Sequence, residues 1–139
     1  MPRGDLAACR VIEFPVVRDI RGNLTFVEHR HGLDFPIKRV YYLYDVPAGA
    51  ERGGHAHHEL QQMIVAPSGS FDVVLDDGSE QKVVTLDRPW MGLRIGSMIW
   101  RELRNFTSGA VCLVLASTSY EETDYIRDYA AFKKLALEE

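Results

Sequence analysis

Two histidines at i and i+2, His55 and His57, lie in the run Arg52-Gly53-Gly54-His55-Ala56-His57-His58, just ahead of the apolar residues Met63-Ile64-Val65-Ala66. On a β-strand that spacing sends both imidazoles to one face. If that face lines a lumen, the two polar rings need a reason to be there, because a polar group taken out of water without a partner costs free energy. Two reasons are chemical: holding a metal, or moving a proton. The pair Gly53-Gly54 immediately upstream permits a bulge or a close backbone approach, as happens at the mouth of a barrel where a site is built. Two satisfied core histidines without chemistry are the bland alternative. The paired glycines, Arg101, and Tyr41 or Tyr42 within reach weigh against it.

A stable transition-metal site takes three or four N, O or S ligands. Four residues past His57 stands Gln61, followed by Gln62, and the later stretch Ile99-Trp100-Arg101 offers no histidine. Arg101 cannot ligate, since a guanidinium carries a fixed charge and no acceptor. The residues therefore point away from a bound metal and toward proton transfer. An unperturbed imidazole, with a pKa of about 6.5, is largely neutral at cellular pH and can accept a proton from carbon.

The elements that would position these side chains read as short β-strands. From Arg10 onward, apolar and polar residues alternate between turn signals spaced as in a sandwich or barrel. Val11-Ile12-Glu13-Phe14 and Asn23-Leu24-Thr25-Phe26-Val27-Glu28 flank a turn at Asp19-Ile20-Arg21-Gly22 and suggest an N-terminal hairpin. Residues 37–44 read as a strand in which Arg39, Tyr41 and Leu43 share one face and Val40, Tyr42 and Tyr44 the other, so only one set can line a cavity. Asp77-Gly78 marks a hairpin. Residues 110–117 are almost continuously apolar, as expected of a strand buried on both faces. His29 and His31 fall in a polar, glycine-containing loop and read as exposed turn residues. In the tail, Tyr125, Ile126, Tyr129, Phe132 and Leu135 fit a helical stripe, predicting one or two short helices outside the sheets.

A chain of 139 residues is predicted to form a single domain, 1–139, with a substantial core. With 16 Lys+Arg against 20 Asp+Glu and no basic cluster, nucleic acid is not an expected partner. The N-terminus lacks an apolar segment, and the longest apolar run, residues 110–116, is too short to span a bilayer, so no membrane partner is expected. Cys9 and Cys112 show no framework spacing, and Cys112 reads as a buried small hydrophobe. The expectation is a soluble, cytoplasmic protein without a structural disulfide.

A β-barrel carrying H-x-H on an early strand and a second glycine-led strand later resembles the cupins, which predicts an all-β, RmlC-like jelly-roll barrel with short C-terminal helices. Further motifs narrow the resemblance. They are Phe35-Pro36-Ile37-Lys38-Arg39-Val40-Tyr41-Tyr42, Arg52-Gly53-Gly54-His55-Ala56-His57, Ser68-Gly69-Ser70, Leu75-Asp76-Asp77-Gly78, Val114-Leu115-Ala116-Ser117 and Tyr120-Glu121-Glu122-Thr123-Asp124-Tyr125-Ile126-Arg127. Together they resemble the dTDP-4-keto-6-deoxy-D-glucose 3,4-ketoisomerases, the WxcM-like cupins of deoxysugar biosynthesis, over nearly the whole chain.

The resemblance implies an isomerase without cofactor or metal. Its substrate is a dTDP-linked 4-keto-6-deoxy sugar, and the implied assembly is a homodimer with exchanged N-terminal strands in which residues 10–14 lie in the partner. It places His55 in the carbon acid–base role and His57 beside it, with the division between them open. Arg21 and Arg101 are implied as stabilisers of enediolate charge, and Arg52 and Tyr42 as holders of the diphosphate or sugar. Relatives of opposite C4 outcome differ at the positions of Arg21 and Arg101, one type pairing Arg with His and the other Tyr with Arg. This chain has Arg at both, and Arg at the second position favours the gluco-configured 3-keto product. A sugar-nucleotide 3,5-epimerase, a metal-dependent cupin and a non-catalytic sugar-nucleotide-binding cupin are the rival readings.

Overall fold

The computed structural model describes residues 3–138. Two five-stranded sheets face one another, as in a jelly roll. One has the strand order Val11–Glu13, Met91–Ile95, Gln62–Ser68, Val111–Ala116, Arg39–Leu43. The other runs Gln81–Leu86, Phe71–Asp76, Trp100–Arg104, Arg52–His57, Tyr125–Ile126. Ile64, Leu93, Ile95 and Val114 from the first interdigitate with Phe71, Val73, Leu75 and Leu103 from the second in one buried cluster. Cys112 is fully buried in that cluster, and Cys9 and Cys112 are both free thiols.

Local sequence explains the frame. The Asp77-Gly78 turn closes the hairpin between Phe71–Asp76 and Gln81–Leu86, which stay in register from Asp76↔Gln81 to Leu86↔Phe71. Gly78 adopts φ +97°, and the Asp77 Oδ1 accepts from the backbone N–H groups of Ser79 and Glu80 at 2.8 and 2.7 Å, an Asx-turn arrangement. Alternation along Arg39–Leu43 turns Arg39, Tyr41 and Leu43 inward and leaves Val40 and Tyr42 outside. His29 and His31 are exposed, as their setting predicts, but His29 belongs to a two-residue strand, Glu28–His29, paired with Gly32–Leu33, and His31 to the turn that joins them.

Two expectations need correction. The N-terminal hairpin is formed by Val16–Val17 with Leu24–Thr25, whereas Val11–Glu13 pairs far along the chain with Met91–Ile95. Gly92 on that partner strand leaves the space into which the Phe14 ring packs, a Cβ there falling 2.6 Å from the Phe14 Cζ. The tail is not helical from Glu121: a 3₁₀ turn, Glu122–Asp124, leads into the strand Tyr125–Ile126, and the α-helix spans Tyr129–Leu137. Pairing with the histidine strand overrides the helical spacing of Tyr125 and Ile126, and the helix starts only where the Asp128 side chain caps Ala130 N–H. Among the described residues, no helix is long and apolar enough to cross a membrane.

Candidate active site

Strand Arg52–His57 runs between Trp100–Arg104 and Tyr125–Ile126. Gly53 and Gly54 have φ of +88° and +70°, and the register with Trp100–Arg104 shifts there, His55 lying opposite Arg101 and Gly53 opposite Glu102. This is the bulge expected from the glycine pair. A Cβ on Gly53 would sit 3.1 Å from the Arg101 carbonyl oxygen, a tight contact added to a positive φ that side chains rarely adopt.

Beyond the bulge His55 and His57 share the inner face, ring centroids 5.0 Å apart and nearly perpendicular. Their environments differ. His55 lines a cavity of about 300 Å³ between the sheets, together with Tyr41, Gln62, Arg101, Tyr125 and Arg127. His57 is fully buried behind it, clasped by the Tyr125 ring at 4.3 Å and the Asp124 carboxylate, whose Oδ2 is 3.3 Å from Nδ1. Burial pushes His55 down to about 4 and His57 down to about 2, with the Arg101 charge acting in the same direction on both. Both rings are therefore neutral bases at neutral pH, and the His57–Asp124 contact is not an ion pair. The Asp124 oxygens are engaged by the backbone N–H groups of Glu59 and Leu60 at 2.9 and 3.2 Å. Neither ring nitrogen of His57 makes a hydrogen bond among the described residues, so the Asp124 contact is a close approach of a carboxylate to a neutral ring.

Arg101 is 2 % exposed. Its Nε donates to the Ile99 carbonyl at 3.1 Å and its Nη1 to the Gln62 Oε1, while Nη2 has no partner. The direction of the next bond follows: with its oxygen taken by a guanidinium, Gln62 must donate through Nε2, and it does so to the Tyr41 hydroxyl at 3.0 Å. The Tyr41 oxygen is thus an acceptor from Gln62, and its own proton is left to donate into the cavity. Burial raises the Tyr41 pKa above the ordinary phenol value and keeps that proton in place. Among the described residues no three His, Cys, Asp or Glu side chains converge in a metal-holding arrangement. The buried Arg101 guanidinium, so close electrostatically to both imidazoles, opposes a cation beside them.

The structure brings together His55, His57, Arg52 and Arg101 of the residues singled out from sequence. Two others stand apart. Tyr42 is 60 % exposed on the outer face, so the cavity tyrosine of that strand is Tyr41. Arg21 sits in the turn after Val16–Val17, its side chain 87 % exposed and bonded to Asp19, away from the cavity of its own chain. Residues without an assigned role in the sequence reading fill the gap: Arg39, Gln62, Tyr125 and Arg127 line the cavity, and Asp124 supports His57. The one sequence signal for the last three was their place in the Glu122-Thr123-Asp124-Tyr125-Ile126-Arg127 motif.

Comparison with known proteins agrees with this geometry. The family model FdtA, described as WxcM-like, C-terminal, matches residues 7–137. The TDP-4-oxo-6-deoxy-alpha-D-glucose-3,4-oxoisomerase of Aneurinibacillus thermoaerophilus is 46% identical over 125 residues, covering 90% of each chain. Among solved structures, a histidine-to-asparagine mutant of the 3,4-ketoisomerase QdtA from Thermoanaerobacterium thermosaccharolyticum, in complex with TDP-4-keto-6-deoxyglucose, superposes with a TM-score of 0.92 at 40% identity, covering 95% of this chain and 96% of that one. A 3,4-ketoisomerase from Helicobacter canadensis gives 0.90 at 44% identity, covering 93% and 97%.

Proposed function

This chain belongs to the FdtA family, WxcM-like, C-terminal, and from that premise we propose how its site works as a sugar-nucleotide 3,4-ketoisomerase. It is an isomerase acting on dTDP-4-keto-6-deoxy-D-glucose, as its relatives are named for doing. The observation that carries the mechanism is His55: a neutral imidazole on the cavity wall, directly across the ladder from the buried cation Arg101.

The C3–H bond of a 4-keto sugar is acidified by the adjacent carbonyl. His55 takes that proton, and the C–H electron pair forms a C3–C4 double bond while negative charge develops on O4. Arg101, through Gln62 and the Tyr41 hydroxyl, is the charge-stabilising arm. The O3 proton passes to O4, C4 receives a proton from the imidazolium, and the carbonyl ends at C3. The sequence is redox-neutral within the sugar and needs no external electron acceptor. His57, sealed behind His55 by Tyr125 and Asp124, sets the orientation and basicity of the working ring rather than touching the sugar.

NMR of dTDP-4-keto-6-deoxyglucose incubated with the pure protein tests this reading. The carbonyl carbon should move from C4 to C3. A product that keeps the C4 carbonyl with inverted C3 or C5 would make the protein an epimerase, and an unchanged substrate that still binds would make it a binding cupin. The same spectrum reads C4. Arg101 holds its proton, its pKa lowered by burial only to about 10, and so does not compete with His55 as donor. H3 of the substrate and H4 of a gluco product lie on opposite ring faces, so a proton returned by His55 to the face that lost H3 gives the galacto configuration, with a small H4–H5 coupling. A large coupling, the gluco outcome implied by Arg at the second position, requires a proton donor on the other face.

The working unit is a homodimer with exchanged N-terminal strands, one domain per chain, in the cytoplasm. Two buried thiols left unpaired suit a reducing compartment. What supports exchange is the seat of the N-terminal strand: Val11–Glu13 docks on an edge strand, and Phe14 plugs a cluster with Leu33, Phe35, Met63, Val65 and Leu115. A segment held this way can dock equally on a second copy. The loop bearing Arg21 would travel with it toward the partner's cavity. Light scattering at micromolar concentration should give twice the chain mass, and deleting residues 1–14 should bare the Met91–Ile95 edge and cause aggregation. A monomer at that concentration would refute the dimer.

A further inference from the structure

Four arginines, Arg39, Arg52, Arg101 and Arg127, line a cavity in a chain whose net charge is −4. At one end of the mouth, two of them meet the C-terminal segment. Arg127 lies 4.2 Å over the Tyr125 ring, and Arg39 lies 5.1 and 5.5 Å from the rings of Tyr41 and Tyr120. Arg39 makes no ion pair among the described residues, and its Nε and Nη2 are buried without an acceptor. Arg127 is occupied: its Nε and Nη2 donate to the two carboxylate oxygens of Glu122 at 2.7 and 2.9 Å, and the Tyr120 hydroxyl donates to Glu122 Oε2 as well. A guanidinium fork plus a hydroxyl is a cradle that fits a phosphate as well as a carboxylate. The Arg127 fork and the Tyr120 hydroxyl hold the Glu122 carboxyl well below the ordinary carboxylate range, at about 2, so the occupant is ionised at any working pH.

We propose that Glu122 is a stand-in anion, occupying on Arg127 and Tyr120 the place that the substrate's diphosphate takes when the cavity is loaded, with Arg39 as the second cation of that subsite. The inference rests on the ketoisomerase reading, which supplies the diphosphate. Both partners of the Glu122–Arg127 pair are about half exposed, side chains 56 and 52 %, so the carboxylate can swing into water when a stronger anion arrives. The exchange keeps Arg127 stacked and neutralised in the empty protein. It also makes loading depend on anionic charge, since a neutral sugar cannot displace a carboxylate.

Calorimetric titration with TDP, alongside steady-state turnover of the keto sugar, tests the proposal. Arg127→Met should weaken TDP at least 10-fold and raise KM more than it lowers kcat, Arg127→Lys should fall between, and Arg39→Met should weaken TDP several-fold. Glu122→Gln is the decisive variant: removing the competing charge while keeping the shape should tighten TDP about 3- to 10-fold. A Glu122 that merely props Arg127 would give weaker TDP binding in the same variant, and that result overturns the proposal, as does unchanged TDP affinity in Arg127→Met with a native circular dichroism spectrum. If instead the wild-type protein neither binds TDP nor turns over the keto sugar, the ketoisomerase reading falls with it. Normal wild-type binding and turnover without the Glu122 response sinks the stand-in alone.

Discussion

His55→Asn should lower kcat roughly 10²- to 10⁴-fold, the usual worth of a positioned general base, while leaving the fold and TDP affinity close to wild type. Asparagine is near in size and still polar, so the cavity wall keeps its shape and the bulge at Gly53-Gly54 is untouched. What disappears is a nitrogen able to hold a proton between its removal from C3 and its delivery to C4. In the wild-type enzyme, His55 is neutral down to about pH 4 because burial and the Arg101 charge both penalise the imidazolium. The kcat/KM profile of the free enzyme should therefore stay flat well below the pH of about 6.5 at which an ordinary histidine titrates. Reaction in D₂O should place deuterium at C4 wherever the imidazolium exchanges before returning its proton. Near-wild-type turnover in the His55→Asn variant would remove His55 from the carbon chemistry and move attention to His57.

The histidine pair was legible in sequence for a simple reason. Strand period, glycine punctuation and residue type are all local, and all agreed on one face, one bulge and one chemistry. The arginine opposite was also readable as a candidate, because no alternative ligand stood in its place. What could not be read was the phase of the Arg39–Leu43 strand. Tyr41 and Tyr42 are equally plausible until the partner strand Val111–Ala116 fixes which alternate set faces the second sheet. Long-range pairing accounts for the other misses. Tyr125–Ile126 adds to the histidine strand across nearly 70 residues of chain, and its helical spacing was coincidental with the real helix that follows. Asp124, Tyr125 and Arg127 gain their roles only through that pairing, which carries no periodic signature. Arg21 illustrates the converse limit, since a residue implied by family resemblance sits in an exposed turn when one chain is viewed alone.

Arg101→Met should separate catalysis from stability. The guanidinium is 2 % exposed, has one nitrogen without a hydrogen-bond partner, and faces no carboxylate among its bonded neighbours. Replacing a poorly compensated buried charge by an apolar side chain of similar length is commonly neutral or stabilising, so the melting temperature should hold or rise. Turnover should nevertheless fall by about 10²-fold or more, the typical cost of losing one preorganised group that stabilises developing negative charge. The loss has two routes: the charge itself goes, and Gln62, without a donor to fix its oxygen, is free to flip its amide, which ends the alignment of the Tyr41 hydroxyl toward the sugar. A second readout distinguishes this from simple misfolding. Burial is the larger cause of the low His55 pKa and the Arg101 charge the next, so removing the charge should move the acid limb of kcat/KM upward from about 4, while burial keeps it below the ordinary value. The variant should therefore be slower at every pH and begin to lose activity at a higher pH than wild type. An unchanged acid limb together with unchanged turnover would mean that Arg101 is packing alone, and that the enediolate finds its counter-charge elsewhere along the cavity wall.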